Sequence, residues 1–201
     1  MRLDIPEGDF AGFIFDLDGT LLDTMPLHYR AWDEVMRRAG MAAPLDEELF
    51  YSLGGVPTRR VAELIAAHYG ITVDPDRVFH EKEALFSDIQ ADAELIGPTV
   101  EFARRMAPTH PLAIASGGPR HIVRRSLEIS GLAALFPVVV TSDDVERGKP
   151  SPDMFLLAAK LMQVPPGRCL VFEDAAPGIA AAKAAGMSLV TVPSRKPGIR
   201  P

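Results

Sequence analysis

The sequence predicts an α/β fold, a doubly wound parallel sheet with a helical segment inserted after its first strand. Three observations predict it. Short unbroken apolar runs, first at "FIF" (Phe13–Phe15) and again after residue 110, read as strands buried on both faces. Helical patterns separate the later runs, the alternation that builds a parallel sheet between helical layers. Residues 25–95 break that alternation, showing helical periodicity and no convincing strand.

The elements follow in order. Phe13–Phe15 forms the first strand and runs into "DLDGT". In the inserted block, "PLHYRAWDEVMRRAG", "PTRRVAELIAAHYG" and "PDRVFHEKEALFSDIQ" read as three helices, with Leu27, Ala31, Val35 and Ala39 at helical spacing in the first. A helical block at this point is expected to cap the sheet's C-terminal edge, where open α/β sheets bind ligands. Its joints are expected near Thr24 and near Ile96–Pro98, which gives a core of residues 1–24 and 96–201 and a cap of 25–95. The core then alternates: strand "PLAIAS" (111–116), helix "PRHIVRRSLEISG", strand "FPVVVTS" (136–142), helix "SPDMFLLAAKLMQV", strand "RCLVFED" (168–174), helix "PGIAAAKAAG", strand "MSLVTV" (187–192). Ser151 is expected to cap its helix with Pro152 in the first helical position. Gly131 and Gly186 stand just past their helices as stop signals. The closing "PSRKPGIRP" reads as a loose tail.

Composition narrows the function. A chain of 201 residues, 47% hydrophobic and 24% charged, fits one soluble domain or one domain with an insertion. A net charge of −6 without a basic stripe argues against a nucleic-acid partner. An acidic protein that handles an anion must build its positive field locally or bring a metal. The single cysteine, Cys169, excludes a disulfide within the chain, suits a reducing compartment, and is expected to pack as a small hydrophobe. The start lacks a signal peptide's apolar centre, and no run approaches the ~18 apolar residues of a membrane span. A cytoplasmic protein without a membrane partner is expected.

Chemistry gathers where the strands end. Asp16 and Asp18 flank Leu17 just past the first strand, so continued alternation would point both carboxylates one way. Two carboxylates in one pocket repel, and a proton or a cation must relieve them. A helix cap or Asx-turn would need only one of them. Gly19 allows a tight turn and Thr20 adds a hydroxyl. Ser116, Gly117 and Gly118 lead from a strand into a helix whose free N–H groups are suited to a phosphate, although such turns are commonly structural. Lys149, a surface charge if it stood alone, precedes a helix, and Glu173 and Asp174 end another strand as a second acidic pair. Hard oxygen donors of this kind suit Mg²⁺. In a parallel sheet these strand ends share one edge, so the groups can converge. One aspartate can then serve as nucleophile and the other as general acid/base, with Mg²⁺ and Lys149 offsetting the crowded charge. No G-x-G-x-x-G follows the first strand, which argues against a dinucleotide site.

In order, "DLDGTLLDT", "IASGG", "GKPSPD" and "VFEDAAPGI" resemble the four motifs of the haloacid dehalogenase superfamily, across nearly the whole chain. "DTMPLHYRAW" followed by "LGGVPTRR" is similar to its β-phosphoglucomutase-like branch, which includes phosphatases of small sugar phosphates. The resemblance implies a Rossmann-like core with an α-helical cap. It implies Asp16 as the phosphoryl-accepting nucleophile and Asp18 as the acid/base. It implies Mg²⁺ bound by Asp16, the Asp18 backbone carbonyl and Asp174, with Glu173 binding directly or through water. Ser116, Gly117 and Lys149 would hold the transferring phosphate. In the cap, His28, the Gly54–Arg60 loop with Gly55, and Lys82 would be substrate contacts. Read alone, His28 can simply pack and Arg60 and Lys82 can be solvated helix charges; the remaining histidines read as structural or exposed.

The leading expectation is an Mg²⁺-dependent phosphatase of a small sugar, sugar-acid or polyol phosphate. A β-phosphoglucomutase is the alternative, and it would need a cap that grips a second phosphate; Thr20, where such mutases tend to carry valine, favours the phosphatase. A catalytically inactive binding module on the same fold is a third reading, opposed by the presence of every motif residue. A monomer is expected, since cap and core already cover the sheet edge.

Overall fold

A computed structural model describes residues 3–54 and 56–193. Gly55 and the tail from Ser194 onward lie outside the described residues. The strands are β1 (Gly12–Phe15), β2 (Leu22–Asp23), β3 (Glu94–Leu95), β4 (Leu112–Ala115), β5 (Val138–Val140), β6 (Cys169–Glu173) and β7 (Ser188–Thr191). The helices are α1 (Met25–Arg38), α2 (Glu47–Ser52), α3 (Thr58–Tyr69), α4 (Pro75–Ile89), α5 (Gly97–Met106), α6 (Arg120–Ile129), α7 (Asp153–Met162) and α8 (Ala176–Ala184).

Five strands make one parallel sheet in the order β5-β4-β1-β6-β7. The chain builds outward from β1 on one side and returns to build the other. The order therefore reverses around β1, the position at which α/β sheets open a crevice beyond their strand ends. β1, β4 and β6 are buried throughout, as their apolar runs require. On one face Ile14, Ala113 and Val171 pack with Phe155, Ala158, Ala159, Ala181 and Ala182 of α7 and α8. On the aromatic side Phe15 stacks on Phe172 at 4.5 Å and 9°, with Phe102 of α5 4.8 Å from Phe172. Removing Phe15 to alanine would cost about 3–5 kcal/mol, the usual range for a large aromatic core residue.

The chain divides into two compact units. Among the described residues, one holds those up to Asp23 together with those from Glu94; the other is Thr24–Ala93. The second unit is helical, with a core of its own around Trp32, Val35, Met36, Phe50, Ala62 and Ile65. In α1 the expected Leu27, Ala31 and Val35 are buried, and Trp32 and Met36 widen the stripe. Asp33–Arg37 and Glu34–Arg38 pair along its outer face, each carboxylate four residues ahead of its base, which supports the helix by a few tenths of a kcal/mol.

Four elements escape the sequence pattern. α2 has six residues, too few for a period to show, and is announced only by Asp46, whose carboxylate accepts from the Leu49 N–H at 2.7 Å. α5 begins at Gly97-Pro98, which reads as a joint, yet proline is well placed in a first helical turn. β2 and β3 are two residues each and pair antiparallel, Leu22 with Leu95 and Asp23 with Glu94. α7 also begins later than expected. Pro152 is its N-cap and Ser151 does not cap the helix; the Ser151 hydroxyl donates instead to Asp153 Oδ1 at 2.8 Å.

Candidate active site

Asp16 stands one residue past β1, but its N–H still belongs to the ladder and donates to the Phe172 carbonyl at 3.0 Å. Ser116 is held in the same way by the Val140 carbonyl, and the Glu173 carbonyl accepts from Val192. The sheet therefore fixes the backbone of each acid or hydroxyl at one common edge. Beyond Asp16 the chain folds back at once. The Leu17 carbonyl accepts N–H bonds from Thr20, Leu21 and Leu22, and the Gly19 N–H donates to the Leu22 carbonyl at 2.8 Å. Gly19 has φ +82°, and a Cβ there would run into the Asp174 carboxylate, so the turn demands glycine twice over. Thr20 is buried; its hydroxyl donates to Asp174 Oδ1 at 3.3 Å, and its carbonyl accepts from the Thr99 hydroxyl at 2.5 Å.

Lys149 is the pivot. Its ammonium donates to Asp16 Oδ1 and to Glu173 Oε1, both at 2.6 Å, with little of the lysine side chain exposed. Its loop is tied down by Asp153, which accepts two bonds from Arg147 at 3.0 Å as well as the Ser151 hydroxyl. Glu173 is almost wholly buried. Its second oxygen accepts the Ala175 N–H at 2.8 Å, and the carboxylate lies where a Cβ on Gly178 would be. Glu173 is thus committed to Lys149 and to the start of α8.

The charge balance is negative. Burial pushes the Asp16 carboxyl well above the usual carboxylate range; Lys149 opposes this, while Glu173, Asp174 and Asp18 add to it. One ammonium shared between two carboxylates does not offset that crowd. Asp174 is pushed up to about 7, by burial first and then by Glu173, with its own backbone N–H, Lys149 and Thr20 pulling the other way. Burial works against the Lys149 ammonium, but Asp16 and Glu173 together outweigh it and hold the lysine above its ordinary value.

The structure thus brings Asp16, Lys149, Glu173 and Asp174 into one cluster, with the Asp18 charge felt at Asp16 and Ser116 at the adjoining strand end. Among the described residues no group of three His, Cys, Asp or Glu side chains is gathered closely enough to grip an ion by itself. The donor chemistry nevertheless fits a hard divalent cation: Asp16 and Asp174 are carboxylates short of positive charge. At the neighbouring turn one of the helix-start N–H groups is already engaged. The first N–H of α6, that of Arg120, is taken by Asp143 Oδ2 at 2.9 Å, so it is not free for a phosphate. The Ser116 hydroxyl accepts from the Gly118 N–H at 3.2 Å, which shapes the turn.

In the helical unit, His28 stacks on Phe86 at 4.0 Å and 8°, and the Lys82 ammonium lies 5.1 Å from the same ring. Lys82 is buried, not solvated, and pairs with Glu83 at 3.0 Å. Arg60 is exposed and pairs with Glu63 at 2.6 Å. Cys169 is buried and its thiol is pushed up to about 11 by burial, which suits packing and not nucleophilic chemistry. Thr99 bonds the Thr20 carbonyl, Gly178 makes room for Glu173, and Asp143 and Asp144 bind Arg120 at the start of α6; none of the four had stood out in the sequence. An acidic pair after β5 was a usable signal for the last two, whereas Gly178 looked like part of an ordinary helix start.

The family model for haloacid dehalogenase-like hydrolases matches residues 10–186. The chain belongs to that family, in its β-phosphoglucomutase-like branch. It is 39% identical over 183 residues to the fructose-1-phosphate phosphatase YqaB of Escherichia coli, covering 91% of this chain and 96% of that one. It is 32% identical over 181 residues to a phosphorylated carbohydrates phosphatase of Thermotoga maritima, covering 88% and 82%. Among solved structures, CbbY from Rhodobacter sphaeroides in complex with phosphate superposes with a TM-score of 0.80 at 26% identity, covering 90% of this chain and 84% of that one. Within its family, the chain is a phosphoric monoester hydrolase. The family implies Mg²⁺.

Proposed function

We propose that the protein is an Mg²⁺-dependent phosphatase of small phosphorylated sugars or polyols, working through a phosphoaspartate on Asp16. The observation that carries the reading is the Lys149 ammonium held 2.6 Å from Asp16 at the crowded end of β1. It keeps an attacking carboxylate and a cation at one point, where a phosphoryl group needs both. Relatives that act on fructose 1-phosphate and on phosphorylated carbohydrates support the substrate class.

In this reading an Asp16 oxygen forms a bond to phosphorus as the ester oxygen leaves, and Asp18 gives that oxygen its proton. Asp18 then takes a proton from water, whose oxygen attacks the phosphoaspartate; inorganic phosphate departs and Asp16 is regenerated. Ser116, the Gly117 backbone and Lys149 hold the phosphoryl oxygens. Asp16, the Asp18 carbonyl and Asp174 would hold Mg²⁺, which supplies positive charge against the phosphoryl oxygens. Glu173 acts one step back, by fixing Lys149. His28, Arg60 and Lys82 are the proposed substrate contacts of the inserted unit.

The test is a panel of sugar and polyol phosphates assayed with Mg²⁺ and after chelation, reading both free phosphate and isomerised sugar phosphate. Free phosphate, lost on chelation and restored by Mg²⁺, is expected. Isomerisation without phosphate release, or full turnover in a verified metal-free preparation, would refute the reading.

A further inference from the structure

The turn after β5 is bound to the turn after β4 by side chains that no chemical step uses. The Gly118 carbonyl accepts both the Ser142 N–H at 3.3 Å and the Ser142 hydroxyl at 3.0 Å. In the other direction, Asp143 takes the Arg120 N–H at 2.9 Å and Asp144 Oδ1 takes the Arg120 guanidinium. The second oxygen of Asp144 closes its own turn, accepting the Thr141 N–H at 2.8 Å and the Thr141 hydroxyl at 2.9 Å, with Thr141 fully buried. Asp144 is therefore spent at both ends. One oxygen fixes the turn Ser142–Asp144 to the end of β5, and the other fixes the start of α6 to that turn.

This placement matters because of what lies on either side. Ser116 and Gly117 begin the first turn, and the chain leaving the second reaches Lys149 five residues after Asp144. Parallel neighbours β4 and β5 share no covalent link near this edge, so nothing in the sheet alone fixes how their turns lean toward each other. The cross-bonds from Ser142, Asp143 and Asp144 supply that link.

We propose that Asp144 is a positioning residue for the transferring phosphate: with Ser142 it holds the Ser116–Gly118 turn in register with the segment that delivers Lys149. The proposal rests on the phosphate-holding role given above to Ser116, Gly117 and Lys149. Its content is distinct, since it concerns residues that do not touch phosphate.

The consequence is specific. Loosening the turn weakens the grip on phosphate itself, whatever sugar is attached. Asp144→Ala should lower kcat/KM on the order of 10- to 100-fold, as expected when a reacting group loses about an ångström of positioning. The factor should be the same for a sugar phosphate and for p-nitrophenyl phosphate, and inhibition by inorganic phosphate should weaken in parallel. Ser142→Ala removes one hydroxyl and leaves the backbone bond to Gly118, so a loss of about 3- to 10-fold in the same quantities is expected, the worth of one hydrogen bond. Arg120→Lys keeps the charge but loses the planar fork, and should fall between parent and Asp144→Ala.

A purely structural role would reduce the active fraction and leave KM and the inhibition constant for phosphate unchanged. Unchanged constants in Asp144→Ala would overturn the proposal, as would a defect confined to the sugar substrate. If Asp144→Ala does not fold, Ser142→Ala decides alone, and parental phosphate inhibition in it overturns the proposal. A parent protein that binds no inorganic phosphate with Mg²⁺ would remove the underlying functional reading, and this inference with it. A parent that binds phosphate and variants that bind it equally well would remove the inference only.

Discussion

Asp16 and Asp18 differ in placement before they differ in chemistry. Asp16 is ladder-bonded, buried and gripped by Lys149, while Asp18 lies in the turn that follows. Asp16→Asn should therefore abolish phosphoaspartate formation. Asp18→Asn keeps the shape but loses the proton shuttle, and should cost on the order of 10²–10⁴ in rate on sugar phosphates. With p-nitrophenyl phosphate, whose leaving group needs no proton, one equivalent of product should appear in a burst before slow turnover. Rapid-quench trapping reads both outcomes; normal phosphoenzyme in Asp16→Asn, or parental hydrolysis of sugar phosphate by Asp18→Asn, would reverse the assignment. Asp174 gives a prediction of another kind. Its folded value of about 7 lies above the ~4 of a free aspartate, so between those values the folded chain binds more protons than the unfolded one. Through this group the metal-free protein loses stability as pH rises from ~4 to ~7. A cation at Asp174 needs the ionised form, so Mg²⁺ binding should release a proton near neutrality and tighten as pH rises through 7. Calorimetry in buffers of different ionisation enthalpy measures this, and an Mg²⁺ affinity flat from pH 6 to 8 would contradict it. The acids were legible in the sequence because two carboxylates at the end of an apolar run have no bland use. What Glu173 does was not legible, since its commitment to Lys149 and the Ala175 N–H depends on a contact 24 residues away in the chain.

Helix α8 shows how an element can serve a site it does not enter. Its third residue, Gly178, is glycine because the Glu173 carboxylate occupies the place of a side chain. Gly178→Ala is a favourable change for an isolated helix, by about 1 kcal/mol. Here it should instead destabilise by roughly 1–3 kcal/mol, the cost of overpacking. It should also displace Glu173, free one side of Lys149 and depress activity far more than its distance in sequence from Asp16 suggests. Thermal melts and kcat/KM of the variant check this; a protein more stable than the parent with parental activity would contradict it. The strands of the sheet and the helices α6, α7 and α8 were legible from apolar runs and helical spacing, with Gly131 and Gly186 adopting φ +70° just past their helices, whereas α5 was hidden because Gly97-Pro98 read as a joint. α2 and the pair β2–β3 were not legible either, because two to six residues carry too little period to rise above the surrounding loop.

For the whole molecule, the parallel arrangement is what turned scattered signals into one site. "DLD", "ASGG", "GKP" and "FED" are far apart in sequence, and only a sheet order centred on β1 brings their strand ends to one edge. That much followed from the alternation of elements. The reach of Lys149 to two acids at once did not, because it depends on a loop braced by Arg147 and Asp153. The helical unit was expected over 25–95 from helical spacing such as Leu27, Ala31 and Val35 and the lack of a convincing strand, whereas its interior of Trp32, Met36 and Ile65 depends on contacts between helices that spacing within one helix does not reveal.

The two-residue ladder of β2 and β3 has a consequence for how such proteins diversify. Asp23, where the chain leaves the sheet-bearing unit, is paired with Glu94, where it returns. Antiparallel neighbours stand about 5 Å apart, so the inserted unit is attached at what amounts to a single socket. Ile96 bonds back to Leu21 and Thr99 to Thr20 on the sheet side of that socket, which locks it independently of what is plugged in. The two ends of Thr24–Ala93 meet at one strand spacing, so a replacement that keeps that spacing is expected to leave the strand order and Asp16 in place. On the function proposed above, the sheet-bearing frame would keep the turnover chemistry and the inserted cassette would carry the substrate contacts, so the two could change separately.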